Sequence, residues 1–193
     1  MVKREFDQYR EEGTLPSVLK DAGIKDAKLY KGDNLAEWRN NFKGISYYDE
    51  SLNAILYGAV DDILEFTDGS LAVVDYKSSG SKEITIYDDY RQQMDIYNYI
   101  LKGLGYQTYP EAYFVFYQVI KEGETGFNNA LKFKEAVRSV VVNTDWVGDA
   151  FPRAVEVARS TQIPIDKPKK GHCDHCHYVE LASQHQLIPD LNI

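Results

Sequence analysis

Residues Gly58 to Gly80 read GAVDDILEFTDGSLAVVDYKSSG, and they contain two apolar runs joined by a turn. The first run is interrupted by Asp61 and Asp62, and the second ends in Asp75-Tyr76-Lys77. Charged groups among Val, Leu and Ile are unfavourable in a protein interior unless they are paired or bind a metal. The stretch therefore predicts two strands of a sheet that carry charges in need of a partner.

The turn, TDGS at residues 67–70, is a strong hairpin signal, and its length decides which aspartate faces Asp75. A two-residue loop places Asp62 opposite Asp75, whereas a three-residue loop that ends in a left-handed glycine places Asp61 there. Apolar residues occupy both faces of the first run, so the hydrophobic pattern leaves both registers open. In either register two carboxylates lie side by side, and Lys77 follows on the same face as Asp75.

Paired carboxylates in this position favour a divalent cation, because each opposes ionisation of the other. Two carboxylates, the backbone carbonyl of Tyr76 and water form an all-oxygen ligand set that suits Mg²⁺ or Mn²⁺. Such an ion activates water and stabilises charge on a phosphate, and Lys77 could orient the nucleophile or neutralise charge at phosphorus. These residues alone also permit a simpler interpretation, a salt bridge between Lys77 and one aspartate.

The remaining elements predict an α/β (α+β) fold with a central mixed β-sheet flanked by helices. Pro152 is expected in the first turn of the last helix or at a break in it. We interpret residues 1–193 as one domain with a helical part (1–44), a sheet core (45–142) and a C-terminal helix with a Cys/His tail (143–193). The expected elements are short helices within 3–42, strands at 45–51, 53–66 and 71–79, a helix at 86–105, a buried strand at 111–120, an edge strand at 130–142 and a helix at 145–160.

Composition predicts a globular protein, since 44% of the 193 residues are hydrophobic and 27% are charged. The net charge of -8 argues against a sequence-independent nucleic-acid coat held by charge. The longest apolar run, at residues 112–117, is too short to span a bilayer, and the charged N-terminus has no apolar signal region. A cytoplasmic protein without a membrane partner is therefore expected.

Three short motifs follow one another in the chain: Gly58-x-x-Asp61, Asp75-x-Lys77 and Gln93-x-x-x-Tyr97. With them the chain resembles the PD-(D/E)XK nuclease superfamily in its RecB-like branch, which includes CRISPR-associated exonucleases. The resemblance covers about residues 45–120. It implies a restriction-endonuclease-like core and a metal-dependent DNA nuclease that hydrolyses phosphodiester bonds.

The same resemblance assigns roles to residues. It implies that Asp61, Asp75 and the Tyr76 carbonyl bind Mg²⁺ or Mn²⁺, and that Lys77 is catalytic. Asp61 as the ligand favours the three-residue hairpin loop. The family's activity further implies a preference for ends of single- or double-stranded DNA, and an exonuclease rather than an endonuclease.

The third motif has two interpretations. The resemblance implies that Gln93 and Tyr97 line the site next to the DNA backbone. They are one helical turn apart and share a face. Tyr97 also belongs to the apolar stripe of the predicted helix, so a purely structural role in the core is the alternative.

The branch often has an upstream histidine or glutamate that completes the site. No histidine occurs before His172, and Glu37 is the best substitute by position. Arg39, two residues later, could contact a phosphate. A glutamate on a short helix is also a common surface charge, which is the competing interpretation.

The C-terminal segment contains the chain's two cysteines, Cys173 and Cys176. Family members often end in a cysteine cluster that binds a four-iron cluster, but two thiolates do not suffice, so no iron–sulfur cluster is expected in a monomer. Cys173 and Cys176 with two nearby histidines could instead bind zinc, or could simply pack the tail. Lys169 and Lys170 form a basic cluster that could contact DNA.

The sequence thus predicts a Mg²⁺- or Mn²⁺-dependent DNA nuclease, and it leaves two rivals. One is a non-catalytic binding module, descended from a nuclease, with a zinc-stabilised tail. The other is a nuclease that acts on RNA, because nothing in the sequence distinguishes recognition of a 2′-hydroxyl.

Overall fold

A computed structural model describes residues 2–120, 130–161, 177–178 and 181–182. The chain divides into two compact units, Met1–Val155 and Glu156–Ile193, and the sheet belongs to the first. Cys173, Cys176, Lys169 and Lys170, for which zinc and DNA binding are predicted, lie outside the described residues.

The named elements alternate between helices and strands along the chain. The helices are α1 (Val2–Glu12), α2 (Ser17–Asp21), α3 (Leu35–Trp38), α4 (Asp88–Gly103) and α5 (Asp145–Arg159). The strands are β1 (Ala27–Leu29), β2 (Ile45–Asp49), β3 (Ala54–Gly58), β4 (Asp62–Phe66), β5 (Leu71–Ser79), β6 (Glu111–Val119) and β7 (Phe133–Val141).

Five strands form the main sheet in the order β1-β4-β5-β6-β7. The β5–β6 pair is parallel and the other pairs are antiparallel, so the predicted mixed sheet is confirmed. β7 lies at an edge, as expected from its sequence, and β2 pairs with β3 in a separate two-stranded sheet. The parallel crossover from β5 to β6 contains α4, the usual solution for joining parallel strands.

Helices cover both faces of the main sheet, which explains why β5 and β6 are apolar almost throughout. Side chains alternate between the faces, so β4, β5 and β6 each contribute to two hydrophobic clusters. The first cluster packs against α4 and includes Ile63, Val73, Phe114, Met94 and Ile100. The second packs against α1 and α2 and includes Leu64, Val74, Val115, Phe6 and Leu19.

The hairpin between β4 and β5 has a three-residue loop, residues 67–69. The Phe66 amide donates to the Ser70 carbonyl at 2.9 Å, so these two residues close the ladder. Gly69 has a φ of 83°, a left-handed conformation that glycine adopts without steric penalty. Of the two registers that the sequence left open, this is the one that places Asp61 opposite Asp75.

Two expectations about strands were wrong. Residues 53–66 do not form one strand, because β3 ends at Gly58 and β4 begins at Asp62 in a different sheet. Between them the chain leaves the ladder, and the Val60 amide donates to the Trp38 carbonyl at 3.1 Å. The N-terminal part is also not purely helical, since β1 pairs with β4. A strand of three residues is too short to give a periodic signal.

The helix predictions were correct in type, with one error of detail. Pro152 neither lies in the first turn of α5 nor divides it, because the helix runs continuously past it. Proline removes one backbone donor, and the surrounding turns and the buried side chains of Val147 and Phe151 keep the helix intact. Among the helices that the structure describes, none is long and apolar enough to cross a membrane.

Candidate active site

Asp61 and Asp75 lie close together at the end of the β4–β5 ladder, where the chain enters β4. The last pair of the ladder is Asp62 with Val74, and continuing that register by one residue places Asp61 opposite Asp75. Asp61 directly precedes β4, and its negative charge helps to raise the pKa of the Asp75 carboxyl, so the two carboxylates are close in space. Asp75 lies on the α4 face with Val73 and Lys77, whereas Asp61 lies at the end of the ladder, next to the Tyr76 amide and to α1.

The backbone of Tyr76 faces the same point. Its amide donates to Asp61 Oδ2 at 3.0 Å instead of to the neighbouring strand. The ladder partner of its carbonyl would be the Val60 amide, which donates to Trp38 instead. The departure of the chain at residues 59–61 thus leaves the Tyr76 carbonyl without its ladder donor, next to two carboxylates.

Lys77 is held in the site by three groups. Its ammonium lies 2.8 Å from Asp75 Oδ2 and donates to Gln93 Oε1 at 3.1 Å. It also lies 4.4 Å from the centroid of the Tyr90 ring, a cation–π contact. The side chain is 20% exposed, so the charge is fixed in direction but remains accessible.

The third motif continues this hydrogen-bond chain. Gln93 Nε2 donates to the Tyr97 hydroxyl at 2.9 Å, and that hydroxyl donates to the Ala59 carbonyl at 2.8 Å. Gln93 is half-buried and Tyr97 is buried. α4 thereby connects Lys77 to the backbone that precedes Asp61.

Gly58 completes the contact between the first and third motifs. A Cβ atom at this position would lie 2.4 Å from Cε1 of the Tyr97 ring, so the ring requires a residue without a side chain. The motif glycine is thus explained by the close approach of an aromatic ring, which the sequence alone did not suggest.

Asp75 is the carboxylate whose buried negative charge a bound cation would stabilise. It is 4% exposed, and burial raises its pKa above the ordinary value. The Lys77 ammonium opposes that rise, while the negative charge of Asp61 adds to it. A buried carboxylate beside a second carboxylate favours either protonation or a bound cation.

The donor set fits a hard divalent cation. Asp61, Asp75 and the Tyr76 carbonyl supply oxygen atoms only, which is the chemistry that Mg²⁺ and Mn²⁺ prefer, with water completing the shell. Across the described ranges no group of three or more His, Cys, Asp or Glu side chains is placed to hold a metal ion. The site therefore offers two carboxylates.

Asp62 points to the opposite face and has a different environment. Its side chain is fully buried, forms an ion pair with Arg10, and accepts a hydrogen bond from the Tyr76 hydroxyl at 2.8 Å. Arg10 also donates to the Tyr30 carbonyl at 2.8 Å. These contacts attach α1 to the sheet directly behind the site.

Asp61 has a partner that the sequence did not indicate. Lys3, near the start of α1, places its ammonium 2.8 Å from Asp61 Oδ1. The lysine side chain is 38% exposed and that of Asp61 is 26% exposed.

The two upstream candidates, Glu37 and Arg39, have different surroundings. Glu37 is exposed on α3, and within the described residues it forms no hydrogen bond or ion pair with Asp61, Asp75 or Lys77. Arg39 is directed to Asp7, with its Nη1 atom 2.6 Å from Asp7 Oδ1. The structure thus brings together Asp61, Asp75, Lys77, Gln93 and Tyr97, but does not join Glu37 to them.

Comparison with known proteins identifies the family of the chain. The family model of the PD-(D/E)XK nuclease superfamily matches residues 4–181, nearly the whole chain. The protein therefore belongs to the PD-(D/E)XK nuclease superfamily, and its mixed sheet flanked by helices is the restriction-endonuclease-like fold. Nucleases of this superfamily act on nucleic acids and generally use divalent metals such as Mg²⁺ or Mn²⁺. Among curated proteins, none matches the chain.

Proposed function

We propose that the protein is a Mg²⁺- or Mn²⁺-dependent deoxyribonuclease of the RecB-like branch, which hydrolyses phosphodiester bonds at DNA ends. The proposal depends on one observation, the convergence of Asp61, Asp75 and Lys77 at the end of the β4–β5 ladder. A nuclease fold that carries two carboxylates and an ammonium at the end of this ladder has the groups that phosphodiester hydrolysis requires.

Asp61, Asp75 and the Tyr76 carbonyl would hold the cation. When bound, the cation supplies an activated water and neutralises charge on the phosphate. Without a cation, the two carboxylates repel an approaching phosphate, because all three groups are negatively charged. A cation held by the carboxylates would therefore determine where the phosphate can approach.

Lys77 would provide the positive charge that the transition state needs. Its ammonium is oriented by Asp75 and Gln93, so little reorganisation is needed when negative charge develops at phosphorus. Gln93 is held in turn by the buried Tyr97. We assign Gln93 and Tyr97 as positioning residues for Lys77, and half-buried Gln93 can in addition meet the DNA backbone.

The proposal is tested by cleavage assays on wild type, Asp75→Ala and Lys77→Ala. We expect both variants to lose cleavage while their circular dichroism spectra remain those of the wild type. Lys28→Ala is a matched control, because Lys28 also forms an ion pair on the main sheet, with Glu65 at 3.2 Å. Cleavage by Asp75→Ala at the wild-type rate would refute the proposed site.

A comparison of substrates tests whether the enzyme cleaves DNA or RNA, and whether it acts at ends or at internal bonds. Linear DNA labelled at either end, circular DNA and RNA of the same sequence are incubated with Mg²⁺, Mn²⁺ or EDTA. Loss of one end label from linear DNA, with circular DNA intact, is the expected result. Cleavage of the circle would identify an endonuclease, and cleavage of RNA alone would replace the DNA assignment.

A further inference from the structure

We propose that Lys3 is a further residue of this site: it neutralises Asp61 in the metal-free protein and moves to a nucleic-acid phosphate when a cation occupies Asp61. The observation is the 2.8 Å ion pair between the Lys3 ammonium and Asp61 Oδ1. The inference rests on the proposed nuclease function and adds a residue that none of the three motifs contains.

The ion pair competes with a cation for the same carboxylate. Asp61 Oδ2 already accepts a hydrogen bond from the Tyr76 amide at 3.0 Å, and Oδ1 contacts Lys3. A Mg²⁺ ion on Asp61 would place a second positive charge beside the Lys3 ammonium, and the two cations repel each other while competing for the same carboxylate charge. Binding of the metal therefore displaces Lys3 from Asp61.

The helix that carries Lys3 is fixed, so that only the side chain needs to move. Phe6, one turn along α1, is 1% exposed and contacts the Tyr76 ring with centroids 4.8 Å apart. Arg10 attaches the same helix to buried Asp62. The flexible four-carbon stem of Lys3 lets its ammonium move by a few ångströms while the helix remains in place.

A phosphate is the group that would receive the displaced ammonium. Arg39, the cation predicted for this task, lies 2.6 Å from Asp7 and is only 13% exposed in its side chain. Lys3 is more accessible, contacts Asp61 and is near enough to Asp75 for its charge to lower the pKa of that carboxyl. In a protein of net charge -8, such a local cation lowers the repulsion of an approaching polyanion.

The first experiment measures metal binding without nucleic acid. Mn²⁺ is titrated into wild type, Lys3→Gln, Lys3→Arg and the control Lys28→Gln, with calorimetry or electron paramagnetic resonance as the readout. We expect Lys3→Gln to bind Mn²⁺ about two- to fivefold more tightly, the range for loss of a partly exposed ion pair. Lys3→Arg and Lys28→Gln should remain within error of the wild type.

The second experiment measures DNA binding with Ca²⁺ in place of Mg²⁺, by fluorescence anisotropy of a labelled duplex end. Lys3→Gln should bind DNA more weakly, and the slope of log affinity against log salt should fall by about one phosphate contact. Lys28→Gln should change neither quantity.

The outcomes separate the inference from the function on which it rests. Equal or weaker Mn²⁺ affinity in Lys3→Gln overturns the competition, and unchanged DNA affinity overturns the transfer to phosphate. In both cases a wild type that binds Mn²⁺ and cleaves DNA leaves the proposed function standing. A wild type that neither binds Mn²⁺ nor cleaves DNA contradicts the proposed function itself.

Discussion

Asp61 and Asp62 are adjacent in the sequence, but their carboxylates lie in different environments. Asp61 is accessible beside Asp75, whereas Asp62 is fully buried against Arg10 and the Tyr76 hydroxyl. The pair therefore permits a comparison in which the same chemical change is made at neighbouring positions with different expected effects.

We predict that Asp61→Asn abolishes cleavage but hardly changes the free energy of unfolding, because it removes a ligand charge and a partly exposed ion pair. Asp62→Asn should lower the free energy of unfolding by about 3 kcal/mol, the lower end for a broken buried ion pair. Urea denaturation and cleavage assays measure the two effects. A stability loss in Asp61→Asn as large as that in Asp62→Asn would contradict the assignment.

Some residues of the candidate site could be predicted from the sequence, and others could not. The carboxylate pair and Lys77 followed from alternation along a strand, but the choice between Asp61 and Asp62 depended on the hairpin loop. Lys3 gave no signal, because its contact with Asp61 spans more than fifty residues and only the packing of α1 brings the two together.

At the scale of elements, α4 and the β3–β4 connection are joined by one close contact. The Tyr97 ring lies against Gly58, and its hydroxyl donates to Ala59. The position of Gln93 depends on the same hydroxyl. A change at Gly58 should therefore reach Lys77 through the hydrogen-bond chain without touching the charged groups.

We predict that Gly58→Ala lowers kcat about 10- to 100-fold, since a small displacement of positioning groups has effects of this size. Gly103→Ala is the matched control, because a Cβ atom there would lie 2.5 Å from the Tyr47 ring, outside the site. Both variants should lose some stability, which thermal denaturation measures, but Gly103→Ala should keep its kcat. Equal kcat values for Gly58→Ala and wild type would show that the hydrogen-bond chain does not position Lys77.

The types of most helices and strands could be predicted from the sequence, whereas the connections between them could not. α4 and β6 have long apolar patterns, and both were predicted correctly. β1 has three residues, and the break between β3 and β4 depends on a hydrogen bond from Val60 to Trp38, so neither leaves a local pattern. The same break leaves the Tyr76 carbonyl, a proposed metal ligand, without the Val60 amide as its ladder donor.

At the scale of the whole molecule, a bound cation should stabilise the fold, because it binds the native carboxylate pair and not the unfolded chain. At a Mn²⁺ concentration about 100 times the dissociation constant, the gain is about 2.7 kcal/mol, equivalent to a rise in Tm of roughly 5–10 °C. Differential scanning fluorimetry measures the rise against EDTA. Asp75→Asn should show no rise, and a rise of wild-type size in that variant would locate the metal elsewhere.

The pH dependence of this rise follows from Asp75. Burial raises its pKa, so in the metal-free fold this carboxyl binds a proton more tightly than in the unfolded chain. In EDTA, its contribution to stability is therefore present at low pH and is lost as pH rises through the raised pKa. Mn²⁺ must displace that proton, so the metal-induced rise in Tm should shrink as pH falls, beginning above the ordinary carboxylate range. A rise that persists unchanged down to the ordinary pKa of aspartate would mean that Asp75 is not a ligand.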